Sequence, residues 1–456
     1  MVCFKLSSLS SNQLEQNSSR PIAITEIKVN GGSQFRESFL QSQLDPLFSA
    51  TTLSELLSQL ESTGENIQRF GPAVSYKLDL GDSSSSAENP LAPLPLLATV
   101  DLSSLSTSAL HVKSLTRDRE GGLAFGANIN NIFGGAENLE ISAAFGTRAR
   151  SKNSYAISLD APFQESSLWR LAIGGHALSE NITWASHSRV VQGGLLKLNK
   201  SLIKEKSNLD VSIGISAVNR TVLGVGAAAS DLIRAAAGDS LKTAVFASYK
   251  HSCQNRVINP SRGFSVEASG EYAGRNGLLP GDVEFFKGTA GANVIKSVRN
   301  NDDALVMSLG GSLGVLLADQ SSILDRFYIG GPKADGPQLY GFEHNQLGPK
   351  DDSDAIGGDA YVSGNVKLYS KLPGMSKSPL RALVFANGAS LVGLDKSLPF
   401  QRKYQLLTNG FSSAVGFGLS YKVPQAQLEL IYTVPTRQQS TDIVHRGWQF
   451  GVTLSV

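Results

Sequence analysis

The sequence predicts a mainly β protein: a sixteen-stranded transmembrane antiparallel β-barrel preceded by one small α+β domain. Three observations lead there. From about residue 104 onward, stretches of roughly ten residues alternate strictly between apolar and polar or small side chains, about sixteen times, without an intervening long amphipathic helix. No run of about eighteen apolar residues occurs, so a membrane helix is excluded. The region before residue 104 has a different pattern and the opposite charge. Residues 20–103 carry five positive and ten negative side chains, net −5, whereas residues 104–456 carry thirty-five and twenty-eight, net +7.

The first nineteen residues read as a disordered leader. MVCFKLSSLS has neither the apolar core of a secretory signal nor the basic content of a transit peptide. Residues 20–103 read as strand, helix, helix, strand, strand. ITEIKVNGG is a strand ending in a Gly-Gly turn. FRESFLQSQLDPLF places Phe35, Phe39, Leu40 and Leu44 on one helical face, with a break at Pro46. Thr52 and Glu55 form a capping box that opens a second helix carrying Leu53, Leu56, Leu57, Leu60, Ile67 and Phe70. AVSYKLDLG and LLATVDL complete a three-stranded sheet with both helices on one face.

Residues 104–456 supply the barrel. ENLEISAAFGT sets Leu139, Ile141, Ala143 and Phe145 against Asn138, Glu140, Ser142 and Gly146. SAVGFGLSYKV sets Val415, Phe417, Leu419, Tyr421 and Val423 against Gly416, Gly418, Ser420 and Lys422. One apolar and one polar face over such lengths suit a wall between lipid and a watery lumen. Lipid forbids an open sheet edge, so the sheet must close. A soluble β-repeat such as a propeller is the alternative. The first barrel strand spans about residues 106–117, including Leu110, Val112, Lys113 and Leu115, and the last ends at Val456.

Three motifs suggest chemistry and fail in context. Gly310–Gly314 fits a serine-hydrolase elbow, but the alternation runs straight through it. Gly224–Ala229 resembles a dinucleotide-binding turn without a βαβ unit around it. Lys350–Asp359 clusters acids without the spacing of a calcium loop and reads as a solvated loop. Two cysteines and six scattered histidines suggest neither a disulfide scaffold nor a metal site. The even charge argues against a nucleic-acid partner. No enzyme and no cofactor are expected.

One longer segment is more specific. Residues 325–373 contain Phe327-Tyr-Ile-Gly-Gly-Pro332, Tyr340-Gly341-Phe342, Gly348-Pro349 and Gly357-Gly358. This segment resembles the sixth loop, about 325–358 here, and the following strand of the outer-membrane assembly-factor superfamily. The likeness is strongest to the mitochondrial branch that forms the central barrel of the sorting and assembly machinery. Residues 257–274 resemble a second family segment, and residues 20–103 resemble one POTRA (polypeptide-transport-associated) domain. The family loop usually reads Arg-Gly-Phe, the Arg reaching an acid in the wall. Here Tyr340 stands for the Arg and Asn387 for the acid. The resemblance leads to the expectation that a Tyr340–Asn387 hydrogen bond replaces the ion pair, with Lys333 the nearest alternative cation. The terminal residues fit the family's β-signal, polar-x-Gly-x-x-hydrophobic-x-hydrophobic, at Gln449, Gly451, Leu454 and Val456.

The resemblance implies insertion of β-barrel precursors into the mitochondrial outer membrane. A seam between first and last strands would pair with the client's signal, and the POTRA domain would face the intermembrane space. The partners it implies are β-barrel precursors, accessory subunits of the machinery and outer-membrane lipid. A metabolite-conducting pore, a structural barrel without insertase activity and a soluble β-rich interaction protein are the alternatives.

Overall fold

The computed structural model describes residues 3–5, 21–71, 74–80, 93–103, 108–117, 120–146, 153–204, 207–256, 258–275, 277, 279–298, 303–320, 322–331, 337–375, 378–394, 399–423 and 426–454. The chain divides into two compact units. The first is Met1–Ala109 with the segments Ala127–Glu140 and Leu159–Ala172, and the second is Leu110–Gly126, Ile141–Ser158 and Ile173–Val456.

The first unit contains β1 (Cys3–Lys5), β2 (Ile22–Asn30), α1 (Glu37–Phe48), α2 (Leu53–Arg69), β3 (Val74–Leu80) and β4 (Leu94–Leu102). The sheet order is β1-β3-β4-β2, with β3 antiparallel to β4 and the outer pairs parallel. The sheet therefore has four strands, not three, and the segment expected to be a disordered leader supplies one. Without β1, strand β3 would be an open edge, and Cys3–Lys5 pairs with its free backbone groups. The core is formed by Phe39, Leu47, Leu56, Leu60, Ile67 and Val100, with Phe39 stacked on Phe35 and edge-on to Phe70 at 5.8 and 5.1 Å. Pro46 does not end α1, which runs two residues further. A proline in the last turn removes one backbone bond where the helix is ending anyway. The Glu55 N–H donates to Thr52 Oγ1 at 3.3 Å, and Glu55 Oε2 accepts from the Thr51 N–H and Thr51 hydroxyl, both at 3.0 Å. The capping box thus closes one residue earlier than its pattern specifies. Two strand-connecting turns belong to this unit. The Arg36 N–H donates to Gly134 O at 2.7 Å, and Gln43 Nε2 donates to Glu165 O at 2.7 Å.

The barrel strands are β5 (Ser108–Arg117), β6 (Glu120–Asn130), β7 (Asn138–Gly146), β8 (Asn153–Pro162), β9 (Trp169–Ile182), β10 (His187–Lys204), β11 (Ser207–Leu223), β12 (Gly238–Gln254), β13 (Gly263–Gly274), β14 (Glu284–Ser297) and β15 (Leu305–Gln320). A small hairpin, β16 (Lys350–Asp351) and β17 (Asp354–Ala355), interrupts the series. β18 (Ala360–Lys371), β19 (Leu380–Val392), β20 (Ser412–Val423), β21 (Ala426–Arg437) and β22 (Gly447–Leu454) complete it. Sixteen strands join in one closed ring in sequence order, β22 beside β5. Helices α3 (Asp231–Ala235) and α4 (Phe400–Asn409) lie in connections, and no described helix is long and apolar enough to cross a membrane.

Strands of 8 to 18 residues exceed the usual five or six of a soluble sheet. Their alternation sorts the side chains. Val384, Phe417 and Phe450 face outward at 57%, 53% and 67% exposure, while Leu383, Phe385, Ala414 and Ile431 on the other face are buried. Phe417, Tyr432 and Trp448 form an aromatic cluster on the outer face, with centroids 5.3–6.2 Å apart. Gly310–Gly314 lies inside β15, as the alternation requires, and Gly224–Ala229 lies in the connection to α3. The acidic stretch at 350–359 is not a solvated loop. Asp354 is buried and accepts the Ser230 N–H at 2.8 Å, and Asp351 accepts the Leu232 N–H at 3.2 Å, so the two carboxylates cap the start of α3.

Candidate functional site: the lumenal loop and the barrel seam

The segment between β15 and β18 folds back onto the inner wall. Short bridges join Phe327 to Gly358, Ile329 to Leu347 and Gly331 to Leu339, so the loop is a two-ply ribbon. Gly330, Gly331 and Gly341 have φ of +130°, +76° and +89°, a region that β-carbons disfavour. A Cβ on Gly341 would lie 2.6 Å from the Cβ of Ala414 on β20, so glycine is what allows the tip to touch the wall.

The tip holds the three motif residues together. Tyr340 packs with Leu383, Phe385 and Ile431, its ring 4.9 Å from that of Phe385. Phe342 is 1% exposed and bridges Val444 in the β21–β22 connection. The His445 N–H donates to Gly341 O at 2.9 Å, and the Gly348 N–H donates to Asp442 Oδ1 at 2.9 Å. The loop is thereby tied to the connection that leads into the last strand.

Asn387 meets Tyr340, but not through the phenol. In the orientation that satisfies both amide atoms, its oxygen accepts the Tyr340 backbone N–H at 2.7 Å and its nitrogen donates to Ala414 O at 3.2 Å. The phenol donates instead to Glu429 Oε2 on β21, at 3.0 Å. The expected Tyr–Asn side-chain pair is thus corrected. An acid remains in the wall, two strands further on, and a neutral donor replaces the cation. Burial, and then the Glu429 carboxylate, push the Tyr340 phenol well above its ordinary pKa, so it stays protonated as a donor. Glu429 also receives Ser420 Oγ at 3.5 Å and lies 3.7 Å from Lys422 Nζ, while Lys367 Nζ sits 5.3 Å from the centre of the Tyr340 ring. Lys333 lies outside the described residues. Glu429 belongs to none of the motifs in the sequence. Its signal was an acid at an inward position of AQLELIYTV, between Gln427 and Ile431.

At the seam, Thr453 of β22 stands opposite Leu115 of β5, the one register pair recorded there among the described residues. On its other side β22 pairs with β21 over eight positions, including Gln449 opposite Ile431, Gly451 opposite Glu429 and Leu454 opposite Ala426. Leu110 and Val112 are exposed on β5. Lys113 lies in β5, but neither its side chain nor that of Leu115 is described, and Val456 lies outside the described residues. Among the described residues, Gln449 Oε1 is buried without a hydrogen-bond partner, and a Cβ on Gly451 would meet nothing within 4 Å.

Among the described residues no group of three or more His, Cys, Asp or Glu could hold a metal ion. The fold and site define a class: a closed sixteen-stranded barrel with one small N-terminal α+β domain and a long loop folded onto its inner wall. Residues 131–455 match the Omp85 superfamily domain, and the chain belongs to that superfamily. It is 30% identical to a SAM50-like protein of Schizosaccharomyces pombe over 96% of this chain and 91% of the relative. It is 24% identical to the human sorting and assembly machinery component 50 homolog over 95% and 90%. The fold is shared with BamA from Haemophilus ducreyi lacking POTRA domains 1–3, at a TM-score of 0.73 and 14% identity, over 95% of this chain and 85% of that one.

Proposed function

We propose that this protein inserts and folds β-barrel precursors into the mitochondrial outer membrane, using the junction of β5 and β22 as a gate. The full-length likeness to sorting and assembly machinery component 50 proteins supports the activity and the compartment. The observation that carries the gate is the terminal strand itself. It presents the β-signal pattern at Gln449, Gly451 and Leu454, and it lies where an incoming strand would have to pair.

The physical task explains the design. A nascent strand entering lipid exposes N–H and C=O groups, each costing several kcal/mol while unpaired. An opened seam offers β5 as a template. Main-chain bonds along β5 supply affinity, and alternating side chains such as Leu110 and Val112 set register. The client signal then displaces Gln449–Val456. Tyr340, Gly341 and Phe342 position the wall beside the seam through Glu429, Asn387 and the β21–β22 connection. No covalent bond changes, so the activity needs neither a catalytic residue nor a cofactor. The POTRA-like domain faces the intermembrane space, where β2, the outer strand of its sheet among the described residues, offers an edge beyond Ile22 to extended precursor segments. Accessory subunits of the machinery complete the assembly.

Mitochondria depleted of this protein and complemented with the full chain provide the test. Complementation restores assembly of imported β-barrel precursors, and the protein resists alkaline extraction. A pore would show restored metabolite passage with precursor assembly unchanged by its loss. A soluble interaction protein would be released by alkali.

A further inference from the structure

The lumenal loop is fastened at its base as well as at its tip. Asp325, 3% exposed, has Oδ1 2.6 Å from Nη1 of Arg220, which projects from β11. Lys287 Nζ on β14 donates to the Asp325 carbonyl at 2.8 Å and sits 4.6 Å from the centre of the Phe327 ring. In the ring of sixteen, β11 and β21 are eight strands apart in either direction, on opposite walls. The bridged segments 327–331 and 339–358 therefore link Arg220 on one wall to Glu429 on the other.

Stability alone does not account for the basal contact. Two charges removed from water repay their desolvation only when their remaining hydrogen-bonding capacity is filled. Here, among the described residues, Nε and Nη2 of Arg220 and Oδ2 of Asp325 are buried without hydrogen-bond partners. A packed apolar pair would fill the same space at lower cost. A single charged contact specifies a position: it draws Asp325 to one point on β11 and fixes where the ribbon starts.

We propose that Arg220 and Asp325 are a positioning pair that makes the loop a tie across the barrel. The pair sets where Tyr340 reaches Glu429, and hence the place of β21 and of the terminal strand bonded to it. The purpose of the tie rests on the insertion reading; its geometry does not.

The test uses purified full-length protein with Cys3 and Cys253 replaced by serine. Cysteines at Glu343 and Ile443, joined by the Glu343 N–H to Ile443 O bond of 2.9 Å, report tip docking through their rate of disulfide formation. Asp325→Asn keeps the side-chain size and leaves the guanidinium without its counter-ion. The rate is expected to fall roughly tenfold. The apolar pair Arg220→Met with Asp325→Leu removes the penalty of an unpaired charge and guards against misfolding; it is expected to fold and still show the slow rate. An unchanged rate in folded Asp325→Asn protein, or recovery of the full rate in the apolar pair, would overturn the proposal. Precursor insertion is assayed separately. Loss of docking with insertion intact would leave the tie standing and remove its role in insertion. An insertion-inactive parent protein would count against the insertion reading alone.

Discussion

At the scale of single residues, the account turns on the contact of Tyr340 with Glu429. A hydrogen bond to a carboxylate is worth about 2 kcal/mol. Tyr340→Phe keeps the ring against Phe385 and removes only that bond, so the barrel should lose about 2 kcal/mol, read as a lower temperature for loss of the folded band in heat-modifiability gels. An unchanged transition would mean that the bond does not hold the tip. The glycines divide sharply. Gly341→Ala meets both a positive φ and the Cβ of Ala414, and should cost at least about 1–3 kcal/mol. Among the described residues Gly451→Ala meets nothing within 4 Å, and it should change the stability of the folded barrel by under about 0.5 kcal/mol. If Gly451→Ala nevertheless blocks the chain's own import, Gly451 is read in transit as a signal. If it melts the barrel, the open space beside it is misjudged. Glu429 illustrates what sequence leaves illegible: its inward direction followed from alternation, but its partner is 89 residues away.

At the scale of elements, the strands were the most legible part. β20 is legible because Val415, Phe417 and Leu419 alternate with glycine and serine without interruption, and a half-slip would turn its apolar face into the lumen. β1 was not legible, since three residues hold too little pattern and their pairing partner lies some seventy residues on. The caps of α3 escaped for the same reason, because Asp351 and Asp354 reach N–H groups 119 and 124 residues earlier. The start of α2 was readable, and it carries a pH dependence. The bonds from Thr51, its backbone N–H first, hold the Glu55 carboxyl below its ordinary value. A lowered folded-state pKa stabilises the element above the ordinary carboxylate value of about 4.3, and that contribution is lost as pH falls through this value to the depressed one. The protection of the Leu56 amide against exchange, relative to its intrinsic rate at each pH, should therefore fall on acidification in the full chain and not in a Glu55→Gln variant, which lacks this component. Equal pH dependence in both would show that the carboxylate does not stabilise the helix start.

At the scale of the whole molecule, the ring closes where its last strand meets its first, and the loop braces the wall beside that junction. The proposed activity follows from placing an exchangeable strand at the one junction of the ring formed by the two ends of the strand series. The most direct measurement is a register scan by crosslinking. Single cysteines at Leu110 and Val112 in β5 are paired with cysteines stepped along the terminal signal of an imported barrel precursor, in isolated mitochondria during insertion. The account predicts disulfide adducts whose partner position shifts in step with the cysteine, antiparallel to β5, and which fade once the precursor is released. Precursor assembly that proceeds without an adduct at either position would contradict the gate and leave a barrel that supports insertion without lending its edge.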